Sequence, residues 1–415
     1  MILRQIKSLG RFKLLALPLL ILAAAPALPT PGTLVAETTS PPLVAETTPL
    51  VPPDPNRPPA EADRVPIALL VDLSSGQTLY SREPDRRFVP ASITKVMTLY
   101  TAFDLIGRRQ LLPNQRFMMS AQAFKNWHRV GSTMFLDQTM QPTVNDLLLG
   151  IANISANDAC VVLAEGAAGS IDNWVTLMNA EARSLGMADS HYGTPNGWMD
   201  DGETYVTAHD LVTLTQALVT RFPQDYRAYI GHETLTWNGI TQHNHDPILG
   251  KLNGADGIKT GFTNQAGYGF LGSAERNGRR LVLVVAGADR PADRASAAKA
   301  LMNWGFEAFT TRRIFAPGAV VGQAKVQGGS ARKVDLVVPQ GVAASVANGS
   351  MAPVSLRIVY DGPLNAPIDK GSVVAALEIR QGDTPPHRVP LIAASGIGRA
   401  GPFERLRNGL MGLLP

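Results

Sequence analysis

The most reactive grouping in the chain is Ser92-Ile93-Thr94-Lys95, just inside a helix that Pro90-Ala91 opens and that is predicted to run to about Ile106. Residues three apart share a helical face, so the serine hydroxyl and the lysine amine can meet. A serine attacks a carbonyl only if a base takes its proton, and a neutral lysine can do so. Free lysine titrates near 10.4, which leaves about one amine in 2,500 neutral at pH 7. Lowering that value by about 3 units corresponds to roughly 4 kcal/mol. Burial beside a second cation supplies such a shift, so the motif predicts another lysine in the site.

Spacing alone does not single out Ser92. Ser-x-x-Lys recurs at Ser296/Lys299 and Ser330/Lys333, which read as surface residues. The first is set apart by its downstream company. The only Ser-x-Asn, Ser155-Ala156-Asn157, stands at a break before a helix, and the only Lys-Thr-Gly, Lys259-Thr260-Gly261, on a strand. Other chemistries lack their residues: there is no His-Glu-x-x-His, no phosphate-cradling glycine loop and no Gly-x-Ser-x-Gly elbow. His243-Asn244-His245 is the only close histidine pair, and nothing nearby completes a tetrahedral metal site. The single cysteine, Cys160, excludes an intramolecular disulfide and reads as a small buried hydrophobe. Neither a metal nor a cofactor is expected.

The elements that must hold these residues follow from pattern and punctuation. Pro66–Leu73 and Thr78–Tyr80 flank the turn Ser74-Ser75-Gly76 and read as a hairpin. A helix-rich stretch comes next, with Thr143, Ser170 and Thr207 as caps. Strands return at Gly257–Thr263, Tyr268–Ala274 and Arg280–Ala286, the last two joined by Asn277-Gly278, and a helix spans Pro291–Phe309. Beyond Thr311, short alternating runs divided by Gly, Pro and Asn indicate a small all-β module. The expected fold is therefore α/β (α+β): an antiparallel sheet flanked by helices, with an all-helical subdomain, over 64–310, then a β-rich domain over 311–392.

The termini differ from this body. Residues 1–27 carry Arg4, Lys7, Arg11 and Lys13 ahead of the apolar run Leu14–Leu28, the signature of an export signal. Without those four charges the formal net charge of +4 falls to zero, so a nucleic-acid partner has no support. Residues 28–63 are rich in Pro, Thr, Ala and Glu, repeat Leu-Val-Ala-Glu-Thr-Thr, and read as a flexible linker. Over 393–415, Phe403, Leu406, Leu410, Leu413 and Leu414 fall on one helical face with Arg405 and Arg407 elsewhere, an amphipathic tail suited to a membrane interface.

The three motifs together resemble the active-site serine penicillin-recognising enzymes. Pro90–Thr98 and Asp256–Thr263, with Asn157-Asp158-Ala159, Gly267-Tyr268 and Trp304-Gly305-Phe306, are similar to the low-molecular-mass D-alanyl-D-alanine carboxypeptidases, from about Ala62 into the 390s. That resemblance implies a β-lactamase/transpeptidase-like catalytic domain and an enzyme that removes the terminal D-alanine of peptidoglycan stem pentapeptides. Ser92 would form the acyl-enzyme, Lys95 act as base, and Ser155 and Lys259 relay a proton to the leaving amine. Asn157 would hold the substrate backbone, and the N–H groups of Ser92 and Phe262 the oxyanion. Thr260 and Arg294 would bind the free carboxylate beside Gly261. β-Lactams would inhibit as long-lived acyl-enzymes, and the chain would be periplasmic, held at the inner-membrane surface by its C-terminal helix. Ala156 stands where the family often has glycine, and His243-Asn244-His245 where arginine-asparagine is common. The alternatives are a D,D-endopeptidase or a β-lactamase of the same fold, the latter needing a positioned Glu such as Glu165, or a catalytically silent wall-binding scaffold.

Overall fold

Residues 53–349, 353–381 and 386–402 are described in the computed structural model. The expected leader, the linker up to residue 52 and the tail beyond Pro402 lie outside the described residues.

Strands β1 (Ile67–Asp72) and β2 (Gln77–Arg82) form the hairpin expected around Ser74-Ser75-Gly76. A 3₁₀ turn, Ala91–Thr94, leads into α1 (Lys95–Gly107). The helical block continues with α2 (Ala121–Trp127), α3 (Val144–Asn153), α4 (Asn157–Ala168), α5 (Ile171–Ser184), α6 (Ala208–Arg221) and α7 (Pro223–Tyr229). Thr143, Ser170 and Thr207 each accept a backbone N–H three residues on, and Thr143 with Asp146 completes a capping box. A small hairpin, β3 (Thr234–Trp237) and β4 (Ile240–His243), precedes β5 (Ala255–Thr263), β6 (Gly267–Arg276) and β7 (Arg279–Ala288). Helix α8 (Pro291–Glu307) closes the unit.

The large sheet has the order β2-β1-β7-β6-β5 and is antiparallel throughout. Alternation divides its side chains between two cores. Leu69, Val71, Val282 and Val284 pack with the helical block, whereas Leu70, Leu281, Leu283 and Val285 pack with α8. Both faces are covered, which is why the central strands read as unbroken apolar runs rather than alternating ones. Strand β5 is an edge, so one side of its backbone is left unpaired by the sheet.

The β module comprises β8 (Phe309–Phe315), β9 (Val320–Gln327), β10 (Lys333–Val337), β11 (Val342–Ala347), β12 (Val354–Val359), β13 (Leu364–Asn365), β14 (Val373–Gln381) and β15 (His387–Ala393). Among the described residues, one sheet runs β12-β14-β15-β10-β9-β13, and β8 pairs with β11 as a ribbon. That ribbon is joined to the first hairpin through Asp72, whose carboxylate accepts from Arg279 Nε at 2.8 Å, Thr311 Oγ1 at 3.1 Å and Ser345 Oγ at 2.6 Å.

Two expected boundaries move. Ile397 and Ala400 are buried, with Ile368 and Gly328 as backbone partners, so the module extends past 392. At the other end, Ala60–Arg64 forms a 3₁₀ turn whose Ala62 is buried in the α8 core, and the Asp54 carbonyl accepts from Trp304 Nε1. Residues 53–63 are thus packed rather than free. A single alanine suffices because α8 already offers an apolar surface, a contact that local composition does not reveal.

Candidate active site

Ser92 lies in the 3₁₀ turn and Lys95 is the first residue of α1, so the i, i+3 pair is nearly eclipsed and the two side chains converge. Lys95 Nζ is 2.8 Å from Ser92 Oγ, 2.8 Å from Asn157 Oδ1 and 2.7 Å from the Asn196 carbonyl. All three donors of an ammonium are therefore engaged, at a residue with no exposed surface. Burial pulls the Lys95 amine down to about 8, although nearby Cys160 and Asp158 oppose the shift. Lys259, on β5, is also buried and is lowered to about 7, first by burial and then by the charge of Lys95. The second cation that Ser-x-x-Lys requires is thus a neighbour of the first.

Ser155 connects α3 to α4 with φ of +63°, a left-handed conformation unusual for serine. Asn157 opens α4, accepts from Lys95 Nζ at Oδ1 and donates from Nδ2 to the Val130 carbonyl at 3.1 Å. Next to it, buried Asp158 accepts the backbone N–H groups of Met134 at 2.9 Å and Leu136 at 3.0 Å, fixing the segment that passes over the site. Gly261 lets β5 press against the serine turn: a Cβ there would stand 2.4 Å from the Pro90 carbonyl oxygen.

These residues open on a cleft of about 580 Å³. Ser92, Ser155, Asn157, Thr260, Gly261, Phe262 and Arg294 all line it. Lys95 and Lys259 lie behind that lining, so the structure assembles every site residue that the sequence singled out. Among the described residues, no Asp or Glu lines the cleft. Arg294, in the first turn of α8, sits 5.8 Å from the Tyr268 ring centroid, and its Nε has no partner among the described residues. Phe262 is exposed and stacks on Tyr268 with centroids 4.1 Å apart. Cys160 is buried behind the lysines, and burial pushes its thiol up to about 12, so it stays an inert thiol.

Sequence reasoning missed Ser132, Trp198 and Met199, which reach the cleft from irregular segments with neither motif nor period. It weighed His245 as a metal ligand and as part of a departure from the family's arginine-asparagine, not as a residue of the cleft. The structure places that imidazole in the cleft wall, where burial, Lys259 and Arg294 hold it below its ordinary value. Glu165 lies elsewhere, lining a separate pocket with Met118, Ser120 and Asp172.

Chemically, the arrangement can deprotonate a hydroxyl, shuttle a proton between two amines and receive a negatively charged group. The sequence profile described as D-alanyl-D-alanine carboxypeptidase matches residues 56–290, more than half of the chain. The chain belongs to that family. A second profile, the C-terminal domain of penicillin-binding protein 5, matches residues 309–399. The D-alanyl-D-alanine carboxypeptidase DacD of Escherichia coli is 33% identical over 345 residues, covering 82% of this chain and 88% of that protein. Penicillin binding protein 5 from Haemophilus influenzae superposes with a TM-score of 0.71 at 30% identity, covering 81% of this chain and 98% of that one. Penicillin-Binding Protein D2 from Listeria monocytogenes, solved in its ampicillin-bound form, gives 0.53 at 27% identity over 59% of this chain and 97% of its own. The β-lactamase/transpeptidase-like architecture and the family resemblance both hold.

Proposed function

We infer that the protein is a serine-type D-alanyl-D-alanine carboxypeptidase that removes the terminal D-alanine from peptidoglycan stem pentapeptides. The observation that carries this is the Ser92–Lys95 contact of 2.8 Å beside a second depressed lysine. An amine titrating near 8 is about one-tenth neutral at pH 7, roughly 250 times more than a free lysine. In this reaction Lys95 takes the Ser92 hydroxyl proton as Oγ attacks the carbonyl carbon between the two D-alanines. The oxyanion is held by the N–H groups of Ser92 and Phe262, a contribution of roughly 3–4 kcal/mol per donor in comparable sites. Ser155 and Lys259 pass a proton to the departing nitrogen, the C–N bond breaks, and D-alanine leaves. Water then cleaves the Ser92 ester. The substrate backbone pairs along the free edge of β5, and Asn157 holds its amide. Thr260 and Arg294 take the terminal carboxylate, Arg294 through its bidentate fork.

The same attack opens a β-lactam ring and leaves a long-lived acyl-enzyme. A class A-type β-lactamase requires a carboxylate placed to activate the hydrolytic water; among the described residues none lines the cleft, and Glu165 lines a different pocket. Export rests on the basic and apolar character of residues 1–27, and peripheral attachment to the outer face of the cytoplasmic membrane on that of the tail. No helix among the described residues is long and apolar enough to cross a membrane.

Labelling with a fluorescent penicillin, paired with D-alanine release from a diacyl-D-Ala-D-Ala peptide, tests the assignment. Persistent label with release is expected, and Ser92→Ala abolishes both while the unfolding midpoint holds. Rapid penicillin turnover would make the protein a β-lactamase. Label without release would point to an endopeptidase or a scaffold.

A further inference from the structure

The rung of the β9–β10 hairpin nearest its turn sets Lys325 directly opposite Lys333. Like charges in that relation destabilise a strand pair, and both residues are exposed on the outer face. Among the described residues, no carboxylate forms an ion pair with either ammonium. An arrangement that repels itself in isolation is relieved when an anionic surface covers it.

The end of the described chain packs on the same turn. Gly329 bridges Arg399, the Ser330 N–H donates to the Gly398 carbonyl, and the Ala400 N–H donates to the Gly328 carbonyl, both at 2.9 Å. Exposed Arg332 and Arg399 flank the junction, and Lys370 is close by, its backbone N 3.7 Å from where a Gly396 Cβ would stand. Asp335 and Asp369 are the flanking acids, and Asp335 is engaged by Gln323 Nε2 at 2.8 Å. The balance is basic where the chain leaves at Pro402, just before a sequence with leucines on one helical face and Arg405 and Arg407 elsewhere.

We propose that this end of the β module is a second membrane contact, in which Lys325 and Lys333 dock onto anionic lipid headgroups beside the tail. The inference rests on the membrane role proposed for the tail. A short apolar segment interrupted by Gly409 and Gly412 is a weak anchor alone, and stable attachment takes two signals, of which a basic patch is one. The module then has a physical role, fixing the end of the molecule that faces the bilayer.

The proposal is tested by co-sedimentation of the full mature chain with phosphatidylcholine vesicles, with and without phosphatidylglycerol, against a K325Q/K333Q variant and a 401–415 deletion. Each lysine near an anionic surface is worth about five-fold, so the double variant binds anionic vesicles roughly 30-fold more weakly. The gap closes near 1 M salt, where the Debye length is about 3 Å. Its unfolding midpoint is unchanged or higher, because a repulsion is removed, and its penicillin labelling is unchanged. If the deletion abolishes binding but K325Q/K333Q does not weaken it, the tail stands and this contact falls. If the deletion leaves salt-sensitive binding that K325Q/K333Q removes, the contact stands on its own. Loss of binding to purified peptidoglycan, with vesicle binding intact, would overturn the proposal in favour of the wall. Failure of the full chain to bind either vesicle would overturn both contacts.

Discussion

Replacing Lys259 with methionine should stabilise the protein while disabling it. The Lys259 amine is lowered from 10.5 to about 7 by burial and by Lys95, and its only hydrogen bond among the described residues is a 3.2 Å contact with the neighbouring Thr260 carbonyl. A folded-state value below the unfolded one means that the unfolded chain binds more protons. The cost is therefore fully present below about pH 7, shrinks as pH rises, and is gone above about 10.5. The shift corresponds to an upper bound of about 5 kcal/mol, and relaxation around the site brings the expected gain to about 2–5 kcal/mol at pH 6. Urea denaturation of Lys259→Met against the parent, from pH 6 to pH 10, measures it. Loss of stability at pH 6, or a gain that stays constant with pH, would refute the reasoning. Acylation by penicillin should fall by about 10²–10⁴, the usual range for a proton-transfer group.

Arg294→Ala should lower kcat/KM for a D-Ala-D-Ala peptide by about 10- to 150-fold, as expected for a charge-assisted hydrogen bond. The same variant should barely change turnover of the corresponding C-terminal amide, and equal losses on both substrates would remove Arg294 from carboxylate binding. Gly261→Ala forces a Cβ to within 2.4 Å of the Pro90 oxygen, so β5 must separate from the serine turn. Penicillin labelling should fall by up to about 100-fold, the factor that a displacement near 1 Å can cost, with the fold retained by circular dichroism. Asp72→Ala leaves the mostly covered Arg279, its side chain 11% exposed, without its carboxylate and should cost about 3–5 kcal/mol in urea denaturation. The junction lies at the β1–β2 side of the sheet and the cleft at β5, so labelling of the folded fraction should persist; if it disappears, the two ends of the sheet are coupled.

Much of the site was legible because its chemistry imposes local spacing. Ser92 and Lys95 must sit one turn apart, and Lys259-Thr260-Gly261 must lie on a strand pressed against that turn, so motif and geometry coincide. The caps Thr143, Ser170 and Thr207 were legible for a similar reason, each being a hydrogen bond within three residues. The features that escaped depend on contacts distant in sequence. Trp198 enters the cleft from a loop whose position is set by Gly197, where a Cβ would stand 1.8 Å from the Ala91 carbonyl oxygen. Helices α2 and α7 have seven residues each, too few to display an apolar stripe. Residues 53–63 look like linker until α8 is in place to bury Ala62.

If Arg294 takes the terminal carboxylate as proposed, the charge of the cleft favours cleavage at the terminal residue over an internal bond. Two lysines lie behind the nucleophile, Arg294 forms one wall, and no carboxylate lines the cavity among the described residues. A peptide continuing past the scissile bond would bring only neutral amides to Arg294 and would bury its unpartnered Nε without compensation. A chain ending in a carboxylate satisfies that donor and partly neutralises the cations that depress Lys259. Its binding therefore raises the proton affinity of the amine that must later protonate the leaving group. On the roles proposed for Arg294 and Lys259, occupation of the carboxylate subsite charges the acid that the second half of acylation needs, and this coupling favours substrates that end one residue beyond the cleaved bond.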